Sequence, residues 1–244
     1  MREITAEAAV HRLHSLSELQ PADRELVAGV PVRAVAYPAG SVLLQQQQTI
    51  VNPHLLLSGW AWRTRTLPNG RQQVFAIVVP GDFIGLCWRP KPRALSSTIA
   101  ITAVKTASAQ SLWPVIRGGG QTNPGLWEAL TLASRHDEMR LLDQVVRLGR
   151  QTALERVVSL MLELHSRLKT VGLADERGFE MPLTQEDLAA ALGLSVVHVN
   201  RTVQQLRREG LAVIGSGRVE FLALDQLKTL SSFEATAQPY AEAI

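Results

Sequence analysis

The fold is decided by residues 181–224, MPLTQEDLAAALGLSVVHVNRTVQQLRREGLAVIGSGRVEFLAL. Two short helical patterns lie on either side of Gly193, and an alternating segment broken at residues 215–217 follows them. Thr184 is a good helix N-cap with an acid three residues later, so a first helix is expected over about 184–191. Ser195 can cap a second helix, and Gly193 can adopt the left-handed backbone of a tight turn. The stretch therefore predicts a helix, a turn, a second helix and a small β-hairpin.

The second helix has one apolar and one polar face. Val199, Val203 and Leu206 follow one another at i, i+4 and i+7, and they should point inward. Ala189, Gly193 and Val199 have the spacing of a helix-turn-helix, in which a small residue, a corner glycine and a β-branched residue let two helices pack closely. One such triplet is a weak signal, so a helical hairpin with a solvated basic face stays an alternative. The outward face carries Val197, Asn200, Arg201, Gln204 and Arg208.

This stretch resembles the winged helix-turn-helix of the Crp–Fnr superfamily of bacterial transcription regulators, down to the Val199-Asn200-Arg201 of the second helix. The resemblance implies a homodimer that binds a palindromic operator in double-stranded DNA and contacts RNA polymerase. Family members often carry a glutamate where Val197 stands, and valine can instead touch a thymine methyl group. The implied DNA-binding residues are Thr184, Gln185 and Ser195 at the helix starts, Val197, His198, Asn200, Arg201 and Gln204 in the major groove, and Arg208 and Arg218 on the phosphate backbone.

From residue 30 onward, short β-rich runs alternate with turns. Strands of this length at nearly regular spacing predict an antiparallel barrel or roll, and Asn69-Gly70 is a strong hairpin signal. Three motifs in these runs resemble the sensor β-roll of the same superfamily, which is related to cyclic-nucleotide-binding domains. They are Pro38-Ala39-Gly40, Leu57-Ser58-Gly59-Trp60 and Pro80-Gly81-Asp82-Phe83-Ile84-Gly85. The predicted fold class is α+β, with a sensor roll, a long helix and a winged helix-turn-helix.

Three domains are predicted along the chain. Residues 1–120 form the sensor roll with a helical lead-in broken at Pro21, residues 121–149 the dimerisation helix, and residues 150–244 the DNA-binding domain. Gly149 is the predicted hinge. A helix over 153–168 should pack behind the helix-turn-helix, and residues 174–180 are expected to form a loop.

The long helix has an apolar stripe with polar breaks, a pattern typical of a helix that pairs with its twin. In the family this helix is the dimer seam. The alternative is a helix that packs only on its own roll. The stripe contains Leu126, Leu130, Ala133, Leu141, Val145 and Leu148.

Composition limits the class of protein. The chain has 244 residues, 46% of them hydrophobic, and a net charge of +3, which permits a nucleic-acid partner without requiring one. No segment has the roughly 18–20 apolar residues that a membrane span needs, so a cytoplasmic protein without membrane contact is expected. Cys87 is the only cysteine, which rules out an internal disulfide and a cysteine-ligated iron–sulfur cluster within one chain.

No catalytic motif is present in the sequence, so no enzymatic activity and no catalytic residue are expected. The six histidines lack the spacing of a helical zinc site, and no metal is expected. His11 and His14 could share a helical face, but two surface histidines need no metal.

The effector of the sensor roll stays unknown, and no cofactor is evident. In members that bind cyclic AMP, a glutamate follows the last glycine of the motif at residues 80–85 and an Arg-Ser pair holds the phosphate; here Leu86 and Ala94-Leu95 occupy those positions. A buried phosphate without a guanidinium partner is costly, which argues against cyclic AMP. A haem or thiol-redox role for Cys87 stays open. The rival function is a sensor or interaction module that does not bind DNA.

Overall fold

The computed structural model describes residues 2–89 and 92–231, and its architecture is the α+β fold expected from the sequence. Residues 232–244 of the predicted DNA-binding domain lie outside the described residues. The lead-in contains helices α1 (Ala6–His14) and α2 (Pro21–Ala28), and Pro21 begins α2 as predicted. Proline suits this position because the first turn of a helix needs no N–H from it. In the described part of the chain, no helix is long and apolar enough to cross a bilayer.

The sensor roll consists of two antiparallel four-stranded sheets. Its strands are β1 (Ala34–Tyr37), β2 (Val42–Leu44), β3 (His54–Ser58), β4 (Ala61–Thr66), β5 (Gln72–Val78), β6 (Phe83–Ile84), β7 (Ser97–Ala100) and β8 (Val104–Ser108). One sheet has the order β1-β8-β3-β6 and the other the order β2-β7-β4-β5. β4 and β5 form the hairpin predicted from Asn69-Gly70, and Gly70 at its tip has a φ of 79°.

Three helices follow the roll: α3 (Trp113–Arg117), α4 (Pro124–Arg150) and α5 (Ala153–Thr170). The break between α4 and α5 falls at Gln151, whose backbone is extended, so α4 runs through the predicted hinge at Gly149. Thr152 explains the position of the break. Its hydroxyl accepts the N–H of Glu155 and the Glu155 carboxylate accepts the N–H of Thr152, a capping box that starts α5 at this point.

The two halves of α4 pack differently. Leu126 and Leu130 are fully buried in a core shared with the lead-in and the roll, and Ala133 is half-buried against the same core. Leu126 and Leu130 are therefore fully covered within one chain, whereas half-buried Ala133 keeps surface that a second subunit could cover. An apolar stripe does not by itself show which surface covers each of its residues.

The C-terminal half of α4 carries the exposed part of the stripe. We call this surface the α4 ridge; it consists of Leu141, Leu142, Val145 and Val146, which are 44%, 61%, 62% and 52% exposed. Leu148, the last predicted seam residue, is half-buried, and a Cβ placed on Gly193 would lie 3.1 Å from its side chain. Leu148 thus lies beside the corner of the helix-turn-helix, and of the predicted seam residues Leu141 and Val145 are exposed, next to Leu142 and Val146.

The C-terminal part of the chain combines helices with a third sheet, of order β11-β12-β10-β9. Its elements are β9 (Ala174–Asp175), β10 (Gly178–Glu180), α6 (Gln185–Leu192), α7 (Val196–Arg208), β11 (Ala212–Gly215), β12 (Arg218–Phe221) and α8 (Leu224–Ser231).

The segment 174–180, expected to be a loop, is the β9–β10 hairpin. Asp175 closes its turn by accepting the N–H groups of Arg177 and Gly178 at 2.8 and 2.9 Å. Gly178 passes β12 so closely that a Cβ would lie 1.9 Å from the Val219 carbonyl oxygen. The hairpin escaped prediction because its stabilising contacts are with β12, about forty residues further along the chain.

The largest hydrophobic core joins the roll to the C-terminal part. Trp60 and Ile77 of the roll lie in one buried cluster with residues of α5, α6 and α7. The rings of Trp60 and Phe179 are nearly parallel, with centroids 6.5 Å apart. Burying each large apolar side chain stabilises a fold by about 1.5–3 kcal/mol, so this cluster holds the helix-turn-helix against the roll.

Candidate nucleic-acid interface

The helix-turn-helix is α6, a turn at Gly193, and α7. Thr184 caps α6, since its hydroxyl accepts the N–H of Asp187 at 3.1 Å and the Asp187 carboxylate accepts the N–H of Thr184 at 2.8 Å. Gly193 has a φ of 61°, the left-handed conformation predicted for it. Ser195 caps α7 by accepting the N–H of His198 at 3.2 Å. These local interactions fix the angle at which α7 leaves the turn.

The apolar face of α7 is buried and its polar face is exposed. Val199, Val203 and Leu206 are buried as predicted, against α6 and α5. The exposed face carries Val197, Arg201, Gln204 and Arg208, which follow one another at i, i+4, i+7 and i+11. Val197 is 60% exposed. Of the ten residues predicted to bind DNA, nine are exposed and Gln185 is half-buried. The exposed nine are Thr184, Ser195, Val197, His198, Asn200, Arg201, Gln204, Arg208 and Arg218.

One side-chain hydrogen bond of this surface connects the two helices, and another lies at the N-terminus of α7. The Asn200 amide donates a hydrogen bond to the Gln185 side-chain oxygen at 3.2 Å. Ser195 Oγ lies 3.0 Å from His198 Nδ1. Asn200 and His198 thus have intramolecular partners, whereas Arg201 and Gln204 extend from α7 with no hydrogen bond to the described part of the chain. The side chains of Arg201 and Gln204 are therefore exposed to solvent without an internal partner among the described residues.

The wing is the β11–β12 hairpin, with Ser216 and Gly217 in left-handed conformations at its tip. Arg218 begins β12 and pairs with Asp175 of β9, Nη2 to Oδ2 3.4 Å. The Arg177 N–H lowers the pKa of Asp175, and the Gly178 N–H and Arg218 add to this effect. Since the Arg218–Asp175 pair is exposed, a DNA phosphate could replace the carboxylate at little cost.

The prediction from sequence passed over one arginine on this surface. Arg207 is exposed in the last turn of α7 and lies three residues after Gln204, on the side of the helix that carries Asn200 and Gln204. Residues 200, 204 and 207 follow one another at i, i+4 and i+7, a spacing that could have identified Arg207, whereas Arg208 continues the row from Val197. Both arginines are accessible to a phosphate.

Behind the helix-turn-helix lies a buried cluster of charged residues. Arg147 of α4 donates to Glu163 of α5 at 2.9 Å, and Arg167 of α5 donates to Glu163 at 2.8 Å and forms an ion pair with Asp82 of the roll. Gln144 of α4 donates to the carbonyl oxygen of Ala191 in α6 at 2.7 Å. Burial opposes ionisation of Asp82 and Glu163, but the surrounding arginines outweigh it, and the pKa of each carboxyl lies below its ordinary value.

Apolar residues stand at the sequence positions where cyclic-AMP binders were expected to carry an acid and an Arg-Ser pair. Leu86 is half-buried against the core that contains Leu126, and Ala94 is buried while Leu95 is 78% exposed. Arg93 is exposed and donates to the carbonyl oxygen of Gln47 at 3.3 Å. The cavity beside Leu86, which Asp82 also lines, has a volume of about 10 Å³. That volume is about what a single water molecule needs.

Comparison with known proteins identifies the helix-turn-helix as Crp-like. The family model of the Crp-like helix-turn-helix domain matches residues 155–230, which include α6, α7 and the wing. The transcriptional activatory protein AadR of Rhodopseudomonas palustris is 31% identical over 84% of this chain and 84% of that protein. The nitrogen fixation regulation protein FixK of Azorhizobium caulinodans is 28% identical over 80% of this chain and 76% of its own length.

Among solved structures, FixK2 from Bradyrhizobium japonicum has the same fold. Its TM-score is 0.69 at 23% identity, and the match covers 83% of this chain and 98% of that chain. The similarity to AadR spans the roll, the long helix and the helix-turn-helix, so it concerns the whole architecture. The chain belongs to the Crp/Fnr family of DNA-binding transcription regulators and not to a family of enzymes.

Proposed function

We propose that this regulator binds a palindromic operator as a homodimer and activates transcription in response to a signal other than cyclic AMP. The observation that carries this proposal is the exposed polar and basic face of α7, whose opposite face is buried. AadR is named a transcriptional activatory protein, which supports activation and a contact with RNA polymerase.

The residues of the interface have distinct proposed roles. Arg201 can bond both acceptors of a guanine, while Val197 can touch a thymine methyl group. The N-terminus of α6, at Thr184 and Gln185, suits a phosphate because the first N–H groups of a helix have no carbonyl partner within it. Ser195, His198, Asn200 and Gln204 complete the surface in the major groove. Arg208 and Arg218 bind phosphates and set the position of the protein on the duplex.

The α4 ridge supports a twofold dimer, because four large apolar side chains on one exposed helix face are typical of an interface. Two reading helices related by a twofold axis select inverted half-sites, about 10 to 10.5 base pairs apart from centre to centre. A signal other than cyclic AMP is supported by Leu86 at the position of the ribose-binding acid and by the outward position of Arg93.

One pair of substitutions separates base readout from general attraction to DNA. Arg201→Ala should cost about 1–3 kcal/mol on the selected operator and relax the preference at one base pair of each half-site. Arg218→Ala should weaken binding to operator and random DNA alike, and it should lower the salt slope by about one unit per lost contact. Binding isotherms on both DNAs at several salt concentrations measure these effects.

The rival function, a sensor or interaction module, predicts no salt-dependent affinity for either DNA. Lys228→Ala in α8 serves as the control, because this exposed lysine lies outside the interface and pairs with Asp225. An equal loss of affinity on both DNAs for Arg201→Ala would show that α7 is not the reading helix.

A further inference from the structure

Three guanidinium groups from three different elements surround the Asp82 carboxylate in the roll. Arg167 of α5 forms a direct ion pair with Oδ2, and Nη2 of Arg140 in α4 lies 4.0 Å from Oδ1. Arg12 of α1 lines the same small cavity as Asp82. The Val79 N–H also donates to Oδ2 at 2.8 Å. One buried carboxylate therefore has one guanidinium in contact and two more close by.

Arg167 connects this carboxylate to the DNA-binding part of the chain. Its Nη2 also donates to the Ile77 carbonyl oxygen of the roll at 2.8 Å, and its Nη1 donates to Glu163 within α5. In the described part of the chain, the buried Arg167 Nε has no hydrogen-bond partner. A buried donor without a partner raises the free energy of this contact between α5 and the roll. The contact is therefore easier to break than one in which every buried donor has a hydrogen-bond partner.

The charges would stay compensated if α5 left the roll. Arg167 would keep Glu163, which travels with it on the same helix, while Asp82 would keep the Val79 N–H and gain Arg140. Breaking a buried ion pair is costly mainly because one charge loses its compensation. Arg140, which lies 4.0 Å from Asp82, would remove that cost for the Asp82 carboxylate. Arg140 can be shared in this way because its present partner, Asp137, also has Arg63 at 3.6 Å.

We propose that Asp82 and Arg167 form a releasable latch that fixes the position of the helix-turn-helix on the sensor roll. Arg140 is the alternative partner that takes Asp82 when the latch opens. Because α7 packs directly on α5 and α6, the reading helix is expected to move with Arg167. Asp82 and Arg167 are thus positioning residues for DNA binding. This last step rests on the proposed function, whereas the latch itself does not.

Hydroxyl-radical footprinting of the full-length protein without DNA tests the latch. Trp60 and Phe179 are buried where the roll meets the β9–β10 hairpin, so their oxidation reports opening, and buried Trp113 in the core of the lead-in reports intact folding. Asp82→Asn keeps an acceptor for the Val79 N–H but removes the charge. It should raise the oxidation rates of Trp60 and Phe179 at least threefold and leave that of Trp113 unchanged.

The alternative partner gives an effect of opposite sign. Arg140→Gln takes away the guanidinium that would receive Asp82, so oxidation of Trp60 should stay at or below the parent rate. Glu176→Gln, which disrupts an exposed ion pair with Lys169 of α5, is the matched control and should change nothing. If Asp82→Asn also exposes Trp113, Arg167→Gln replaces it, with the same expected footprint.

Two footprints would overturn the latch: a parent-like rate for Trp60 in both Asp82→Asn and Arg167→Gln, or an increase in Arg140→Gln as large as in Asp82→Asn. Operator affinity is measured separately. Variants that raise the oxidation of Trp60 should change the operator affinity at least threefold. Arg201→Ala should weaken operator binding, relax the preference at one base pair of each half-site and keep a parent-like footprint. An unchanged affinity in an opened variant would overturn the coupling to DNA. Failure of the parent itself to bind any DNA would instead remove the proposed function and leave the footprint result standing.

Discussion

At the scale of single residues, burial and neighbouring charges decide the protonation of the buried charge cluster behind the helix-turn-helix. His136 of α4 is buried, and burial together with Arg12 and Arg140 lowers its pKa from 6.5 to about 4. Burial opposes the charge of Arg167 as well, but Asp82 and Glu163 outweigh it and raise the pKa of Arg167. The folded protein therefore holds neutral His136 among ionised neighbours near pH 7.

This arrangement predicts a pH dependence of stability. Between pH 6.5 and about 4 the unfolded chain binds a proton at residue 136 that the folded chain does not, so the free energy of unfolding falls as the pH is lowered through this window. His136→Asn should remove about 1–3 kcal/mol of that fall. Urea unfolding at a series of pH values measures it.

The carboxyls of Asp82 and Glu163 act in a different window. Their lowered pKa values add stability that is present above their ordinary values and lost only as the pH falls through the lowered ones.

The internal control for the His136 experiment is the slope of the free energy of unfolding against pH between pH 7 and 8. This slope should be the same in the parent and in His136→Asn. A slope between pH 6.5 and 4 that His136→Asn leaves intact would contradict the assignment to His136.

At the scale of elements, α4 is one continuous helix with two different environments. Its first half is an internal core helix, because Leu126 and Leu130 are covered by the lead-in and the roll. Its second half exposes the α4 ridge. One helix thus joins the roll to the candidate dimer surface, and the capping box at Thr152 separates it from the DNA-binding part.

The exposed half of α4 gives a prediction about assembly. Leu141→Asp together with Val145→Asp should make the protein monomeric, because a dimer seam on the α4 ridge would have to bury two carboxylates from each subunit. Sedimentation at micromolar concentration should show a dimer for the parent and a monomer for the double variant. Arg150→Asp, an exposed charge change on the same helix, is the control. A monomeric parent, or a double variant that dimerises as well as the parent, would refute the seam.

At the scale of the whole molecule, the roll and the helix-turn-helix share one hydrophobic core and one charge cluster. A ligand that changes the roll can therefore act on the position of α7 without touching it. Such coupling requires that the ligand bind the two arrangements with different affinity.

Cyclic AMP should not act in this way. A ligand at a hundred times its dissociation constant adds about 2.7 kcal/mol to stability, which would raise the Tm of a chain of this size by about 5–10 °C. With millimolar cyclic AMP we expect no rise in Tm and no change in operator affinity, because Leu86 and the buried Ala94 offer no partner to ribose or phosphate. Operator DNA is the positive control in the same thermal melt. A clear rise with cyclic AMP would show that the residues at 86 and 94–95 were misaligned with the family pattern.

The helix-turn-helix was determined by the sequence itself. Its caps, its corner glycine and its inward-facing residues interact over three to seven positions along the chain, so short-range spacing predicts them: Thr184 with Asp187, Gly193 at the corner, and Ser195 before α7. The hairpin at Asn69-Gly70 belongs to the same class, because a two-residue turn signal needs no distant partner.

Other features were decided only by the tertiary structure. Periodicity marks a helix face as apolar but does not show whether the roll, the helix-turn-helix or a second subunit covers it. The structure buries Leu126 and Leu130 within one chain and leaves Leu141 and Val145 exposed. The β9–β10 hairpin exists because β12 accepts it as a neighbour. The charge cluster unites Asp82, Arg140 and Arg167 from positions far apart in the chain. Contacts of this kind have no signature in local sequence, because chain folding alone brings the partners together.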